Sequence, residues 1–183
     1  MSSIRRIFLV GPMGAGKSTV GRALASHLGW TFVDSDYEIE QRTGADIPWI
    51  FEIEGEIGFR DRETHVIDAL TQRDAVVLAT GGGAIMRDVN REALGNRGFV
   101  VYLAATIREQ VRRTGKDSKR PLLAGKDRMA VLTDLMAVRE PLYREVSHVT
   151  VTTENRSAKK LAQVIAQEFS KWQTTGAASV SPT

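Results

Sequence analysis

The residues with the clearest chemical potential are Gly11 to Ser18, which match the pattern G-x-x-x-x-G-K-[ST]. Glycines in such a loop let successive backbone N–H groups turn toward a phosphate, and the following helix presents its positive end to the same charge. Lys17 can reach the outer phosphates of a nucleoside triphosphate, and the Ser18 hydroxyl can bind Mg²⁺. The motif therefore predicts binding of a nucleoside triphosphate with Mg²⁺, and it leaves the phosphoryl acceptor open.

Two aspartates, Asp34 and Asp36, follow a short apolar run. In an extended chain this spacing puts both carboxylates on one side. One could hold Mg²⁺ through water, and the other could orient or deprotonate an acceptor hydroxyl. The alternative is that Asp36 caps the helix that follows, since aspartate is a good N-cap. We favour the functional interpretation, because a cap explains only one of the two residues.

A glycine-rich loop and three arginines could bind the acceptor. Gly81–Gly83 follows another apolar run, where backbone without side chains could approach a ligand closely. Arg60, Arg120 and Arg139 lie in separate stretches, and an arginine can grip a carboxylate or a phosphate through paired hydrogen bonds. Arg60 could also be a solvated helix residue, and Arg139 could simply pair with a nearby glutamate. Spacing alone does not decide between these interpretations.

The segment around Arg120, at about residues 114–127, is polar, basic and interrupted by glycine and proline. This composition is typical of a mobile lid. Closure of the lid would bring an arginine over the transferring phosphate and exclude water, which would limit wasteful hydrolysis.

Short apolar runs alternate with helical patterns along the chain, which favours a parallel sheet covered by helices on both faces. The predicted strands are 7–10, 31–33, 75–79, 99–103 and 149–151. The predicted helices are 17–28, 36–42, 47–54, 56–72, 90–94, 106–113, 129–145 and 157–172. Pro141 is expected to end or kink its helix. Ligands of such sheets bind beyond the carboxyl ends of the strands. The three loops that follow predicted strands, at Gly11–Ser18, Asp34–Asp36 and Gly81–Gly83, should therefore open onto one crevice.

Composition excludes several classes of protein. The chain has 183 residues, which fits one domain over 1–173 and a disordered tail over 174–183. Hydrophobic residues make up 42% and charged residues 26%, which is close to a typical soluble protein and excludes a disordered or collagen-like chain. The absence of cysteine excludes disulfides and thiolate metal sites. A net charge of +3 is too small to argue for nucleic acid. We therefore expect no nucleic-acid partner. Because no apolar run is long enough for a membrane helix or an export signal, we also expect a cytoplasmic protein without membrane partners.

Taken together, the motifs resemble those of shikimate kinases of the bacterial type, over about residues 4–172. They are, in order, GPMGAGKS at 11–18, DSD at 34–36, G-E-x-x-F-R-x-x-E at 55–63, GGG at 81–83, RPLL at 120–123 and R-x-P-L-Y at 139–143. The joint match is specific, although no single motif is. The resemblance implies an α/β three-layer sandwich of the P-loop NTPase fold, with five parallel strands in the order 2-3-1-4-5, a mobile lid and a monomeric state.

The resemblance also implies roles on the acceptor side, which includes a substrate-binding region at about residues 35–63. Asp36 would bind the ring hydroxyls of shikimate and act as the base. Arg60 and Arg139 would clamp the shikimate carboxylate. The backbone of Gly82 and Gly83 would touch the substrate.

On the nucleotide side, the resemblance implies that Lys17 and Arg120 stabilise charge on the transferring phosphoryl group. Ser18 would bind Mg²⁺, with Asp34 behind it through water. The remaining ATP-binding residues would be Gly14, Ala15, Gly16, Thr19, Arg113 against the adenine, and Arg156 in the loop that borders the base.

The implied reaction is ATP-dependent phosphorylation of the 3-hydroxyl of shikimate, a step toward chorismate and the aromatic amino acids. One alternative is a gluconate or nucleoside monophosphate kinase, which would share the phosphate loop. A second alternative is a regulatory protein that binds nucleotide without catalysis. Release of ADP that depends on shikimate would distinguish these functions.

Overall fold

Five parallel strands organise the computed structural model, which describes residues 4–115 and 127–175. The strands are β1 (Arg6–Val10), β2 (Thr31–Asp34), β3 (Val76–Ala79), β4 (Phe99–Ala104) and β5 (Val149–Thr152). They pair in the order β2-β3-β1-β4-β5, and every pairing is parallel. The predicted α/β fold and strand order are therefore confirmed, and β1 lies in the centre of the sheet with the phosphate loop at its carboxyl end.

Each strand is followed along the chain by at least one helix. They are α1 (Lys17–Leu28), α2 (Ser35–Thr43), α3 (Ile47–Leu70), a short 3₁₀ turn (Ala84–Met86), α4 (Asp88–Arg97), α5 (Ile107–Thr114), α6 (Arg128–Val146) and α7 (Ala158–Thr175). None of the helices in the described part of the chain is long and apolar enough to cross a membrane.

The sheet buries apolar side chains on both of its faces, as the continuous apolar runs predicted. Along β1, Ile7 and Leu9 pack into one cluster with α1 and α7. Phe8 and Val10 point the other way and pack into a second cluster with α3, α4 and α6. Because successive residues of a strand face opposite sides, one strand serves both cores and is rigidly held. The loop that follows β1 therefore starts from a firmly packed strand.

Gly55 interrupts the long helix α3, in agreement with the predicted break between two helices. Its φ of 70° and ψ of −177° are not helical, although the helix continues on both sides from Ile47 to Leu70. A positive φ costs glycine little. The second half of α3 therefore takes its own direction, and it carries Arg60 and Glu63 toward the carboxyl edge of the sheet.

Pro141 is predicted to end or kink its helix. It does not end the helix, because α6 continues past Pro141 to Val146. Arg139 and Tyr143, on either side of the proline, are both buried. Packing of these neighbours compensates for the backbone hydrogen bond that proline cannot donate. At the other end of the chain α7 reaches Thr175, so the predicted tail begins as helix, and residues 176–183 lie outside the described part.

Candidate functional site

The phosphate loop joins β1 to α1, as the motif predicted. Gly11, Gly14 and Gly16 all have positive φ, at 144°, 76° and 89°. A Cβ on Gly11 would lie 2.5 Å from the carbonyl oxygen of Leu103 in β4, so no larger residue fits there. Gly16 is the residue before α1, whose first turn contains Lys17 and Ser18. The loop thus directs the positive end of α1 toward one cavity.

Lys17 lies across this loop. Its side chain is largely buried, and its Nζ donates hydrogen bonds of 2.8 Å to the carbonyl oxygens of Gly11 and Pro12. The ammonium group is therefore held where the phosphates of a nucleotide would meet the loop.

Asp34 has two tasks in the structure. Its Oδ1 accepts hydrogen bonds from the backbone N–H groups of Asp36, at 3.0 Å, and Tyr37, at 3.3 Å, and it thereby caps α2. Its Oδ2 accepts a 2.6 Å hydrogen bond from the Ser18 hydroxyl. The alternative in which Asp36 caps the helix is therefore wrong: α2 begins at Ser35, one residue earlier than predicted, so the cap position falls on Asp34. Asp36 takes part in this cap through its backbone N–H and not through its carboxylate.

The turn Gly81–Gly83 is where the acceptor-side residues converge. A Cβ on Gly81 would lie 2.6 Å from Oδ1 of Asp36 and 2.8 Å from Oε1 of Glu63. A Cβ on Gly83 would lie 2.6 Å from the guanidinium carbon of Arg60. The turn needs glycine because charged side chains from α2 and α3 lie directly against its backbone.

Arg60 is held by a buried carboxylate. Its Nη1 donates to Oε2 of Glu63 at 2.7 Å, and its Nη2 donates to Glu56 at 3.2 Å. Burial by itself lowers the pKa of Arg60, but the two glutamates raise that pKa above its usual range, so the guanidinium keeps its charge. Burial raises the pKa of Glu63, and the guanidinium of Arg60 opposes this change. The buried pair holds Arg60 in one orientation behind the glycine turn.

Arg139, on α6, approaches the same turn from another side. It is only 5% exposed, and its Nη1 would lie 3.7 Å from a Cβ on Gly82. The same Cβ would lie 3.4 Å from the backbone nitrogen of Met13 in the phosphate loop. Gly82 therefore stands between the phosphate loop and the arginines, so a ligand beside it would be close to both.

A cavity of about 310 Å³ lies along the phosphate loop and the glycine turn. The predicted residues that line it are Gly14, Gly16, Lys17, Ser18, Thr19, Asp34, Asp36, Gly82 and Arg113. Arg60, Gly83 and Arg139 lie beside it, around the glycine turn. The structure thus brings the predicted phosphate and acceptor residues to one crevice at the carboxyl edge of the sheet.

A second cavity, of about 230 Å³, adjoins the first through Gly16, Thr19 and Arg113, and also contains Ala15 and Arg156. Its wall includes the apolar side chains of Val20, Ala158 and Leu161, so part of its surface is apolar. Nη1 of Arg113 donates to the carbonyl oxygen of Gly14 at 3.0 Å, which ties α5 to the phosphate loop. Arg120 and nearly all of the predicted lid lie outside the described residues.

Sequence reasoning assigned no role to Glu63, Ser35 and Tyr143, which the structure places at the glycine turn. Ser35 accepts a 3.0 Å hydrogen bond from the backbone N–H of Gly81, and the Tyr143 hydroxyl donates to the carbonyl of Gly82. Glu63 follows Arg60 by one helical turn, and this spacing is a signal from which their ion pair could have been predicted. Tyr143 gave no such signal, because its partner is 61 residues away.

The sheet order, the phosphate loop and the adjoining acceptor cluster define a P-loop kinase, a class of enzyme that positions ATP and a second substrate in one crevice. A protein-family model described as "Shikimate kinase" matches residues 13–170, which is most of the chain. The chain belongs to the shikimate kinase family and is therefore a kinase that uses ATP.

Relatives and solved structures agree with this assignment. The chain is 59% identical over 162 residues to a shikimate kinase of Halorhodospira halophila, covering 88% of this chain and 92% of that protein. It is 57% identical over 165 residues to one from Acinetobacter baumannii (strain AYE), covering 90% and 92%. A solved shikimate kinase from Acinetobacter baumannii in complex with shikimate matches with a TM-score of 0.90 at 56% identity, covering 92% of this chain and 94% of that one.

Proposed function

We propose that this protein transfers the γ-phosphoryl group of ATP to the 3-hydroxyl of shikimate, giving ADP and 3-phosphoshikimate. The observation that carries the proposal is the position of Gly82, between the phosphate loop and the buried arginines, in a chain of this family. A phosphoryl donor and a carboxylate-bearing acceptor could meet there. The solved relative in complex with shikimate supports this choice of acceptor.

On the acceptor side, Arg60 and Arg139 bind the carboxylate of shikimate. Two nearly buried guanidinium groups suit this task, because their charge is little screened and each can form paired hydrogen bonds. Asp36 binds the ring hydroxyls, and it takes the proton of the 3-hydroxyl as the new O–P bond forms. The backbone of Gly82 and Gly83 lies against the substrate.

On the nucleotide side, the phosphate loop holds the phosphates of ATP while Lys17 stabilises the charge that shifts onto ADP as the bond to the γ-phosphorus breaks. Arg120 assists Lys17, an assignment that rests on the RPLL motif at 120–123. The base lies in the second cavity, with Arg113 against the adenine and Arg156 at its border. Catalysis then consists of in-line positioning and charge stabilisation.

Mg²⁺ fits the oxygen atoms at the start of α1 and the end of β2. The Ser18 hydroxyl and the Asp34 carboxylate are 2.6 Å apart, and both are the hard oxygen donors that Mg²⁺ prefers. No group of three or more His, Cys, Asp or Glu side chains in the described ranges could hold a metal unaided. This suits an ion that reaches the site with the phosphates of its nucleotide, and when bound Mg²⁺ neutralises phosphate charge.

The test is a coupled assay of ADP release with shikimate, gluconate or AMP as the acceptor. We expect ADP release only with shikimate, at one ADP for each 3-phosphoshikimate formed. Release with gluconate or AMP instead would assign a different acceptor. Binding of ATP without ADP release for any of the three acceptors would favour a regulatory nucleotide-binding protein.

A further inference from the structure

Tyr143 belongs to the motif at 139–143 but has no part in the reaction described above. Its side chain is completely buried, and its hydroxyl donates a hydrogen bond to the backbone carbonyl of Gly82. Tyr143 lies one helical turn after Arg139, so both side chains leave the same face of α6. The helix that provides the arginine therefore also holds the glycine turn against which that arginine lies.

The glycine turn depends on its neighbours for its position, because glycine has no side chain with which to pack. On one side the backbone N–H of Gly81 donates to the hydroxyl of Ser35, which is itself completely buried. On the other side the carbonyl of Gly82 accepts from Tyr143. Two buried hydroxyls, from α2 and α6, thus hold the turn at the N–H of Gly81 and at the carbonyl of Gly82.

The Tyr143 hydroxyl is a permanent donor. Burial raises the pKa of Tyr143 well above its usual range, and the nearby charge of Arg139 opposes this only in part, so the hydroxyl keeps its proton at working pH. The ring is stacked on Tyr102, with centroids 5.1 Å apart and an angle of 20° between the planes. The stacking restrains the direction in which the hydroxyl points.

We propose that Tyr143 is a positioning residue of the acceptor site: with Ser35, it fixes the Gly82 backbone at the place where Arg60 and Arg139 hold the acceptor. This inference rests on the proposed function. Without the hydroxyl, the Gly82 carbonyl loses a buried donor, and the turn shifts to find another partner. The acceptor then meets a displaced backbone. The phosphate loop keeps its own support from β1 and α1.

The experiment compares Tyr143→Phe with Tyr102→Phe. Both remove one hydroxyl from a stacked, buried tyrosine, but the Tyr102 hydroxyl donates no hydrogen bond to any described residue. Steady-state kinetics should show the shikimate KM of Tyr143→Phe raised about 10-fold, the usual effect of losing one buried hydrogen bond. The ATP KM should change less than about twofold, and Tyr102→Phe should match the wild type in both constants.

Each other outcome has a defined meaning. An unchanged shikimate KM in Tyr143→Phe, or equal increases in both KM values, refutes a positioning role. If Tyr143→Phe does not fold, Ser35→Ala tests the same turn from its other side, and an unchanged shikimate KM there also refutes the proposal. If the wild type releases no ADP with shikimate, the proposed function itself fails, and the inference fails with it.

Discussion

The nucleotide side and the acceptor side of the crevice are built in different ways. Eight consecutive residues, Gly11–Ser18, form the phosphate loop, and much of their chemistry comes from the backbone. The proposed acceptor side is assembled from Asp36, Arg60, Gly81–Gly83 and Arg139, which lie on separate elements. Phosphate binding can thus be encoded locally, whereas selection of an acceptor requires side chains that only the whole fold brings together.

The two sides also hold their cations differently. Lys17 donates to the backbone carbonyls of its own loop. Arg60 is paired with Glu63, a carboxylate that is completely buried. The Lys17 ammonium thus lies against neutral carbonyl groups of its own loop, while the buried Glu63 carboxylate fixes the orientation of the Arg60 guanidinium. Substitutions should therefore affect the two substrates separately, and the following predictions test that separation.

The largest effect is expected for Lys17→Met, which keeps most of the side-chain volume and removes the charge. The kcat for shikimate phosphorylation should fall about 10³-fold, because a preorganised cation no longer stabilises the transferring phosphoryl group. The shikimate KM should stay within about threefold of the wild type. ADP-release kinetics measure both constants, and a kcat reduced less than tenfold would contradict the assignment of Lys17.

Next come Arg60→Ala and Arg139→Ala, which should raise the shikimate KM strongly and the ATP KM little. Loss of a hydrogen bond to a charged group costs about 2–3 kcal/mol, or about 30- to 150-fold in affinity. Arg144→Ala is a matched control, since Arg144 lies on the same helix as Arg139 but is exposed and paired with Glu140. Equal effects on both substrates would argue against a carboxylate clamp.

Gly83→Ala should act on the acceptor side without removing any charge. The new methyl group would overlap the Arg60 guanidinium, so Arg60 must move, and the shikimate KM should rise about 10-fold. Gly95→Ala in α4 is the control, because its Cβ would meet nothing closer than 3.9 Å. The control should bind shikimate normally and gain about 0.5–1 kcal/mol in its free energy of unfolding, measured in urea.

The smallest effect is expected for Arg113→Ala, on the nucleotide side. The ATP KM should rise about three- to fivefold, because Arg113 is partly exposed and its contacts with the phosphate loop are screened by water. Arg112→Ala is the control, since Arg112 pairs with the same Glu109 but is more exposed. A rise in the shikimate KM rather than the ATP KM would contradict the assignment of Arg113 to the nucleotide side.

Much of the fold and the residues that line the crevice could be predicted from the sequence, but not the residues that hold them in place. Apolar runs with β-branched residues identified all five strands, and Gly55 correctly marked a break in the backbone of α3. The phosphate loop could be recognised because its function needs neighbouring residues in a fixed order. The continuation of α6 past Pro141 could not, because a local rule about proline was overridden by the packing of Arg139 and Tyr143.

The sequence by itself determined the phosphate loop, the paired aspartates and the family to which the chain belongs, since each rests on residue type and short spacing. Only the tertiary structure decided that Asp34 both caps α2 and accepts from Ser18, and that Tyr143 reaches Gly82. These contacts join residues from different elements. Their geometry follows from how the helices pack on the sheet, and no local pattern records it.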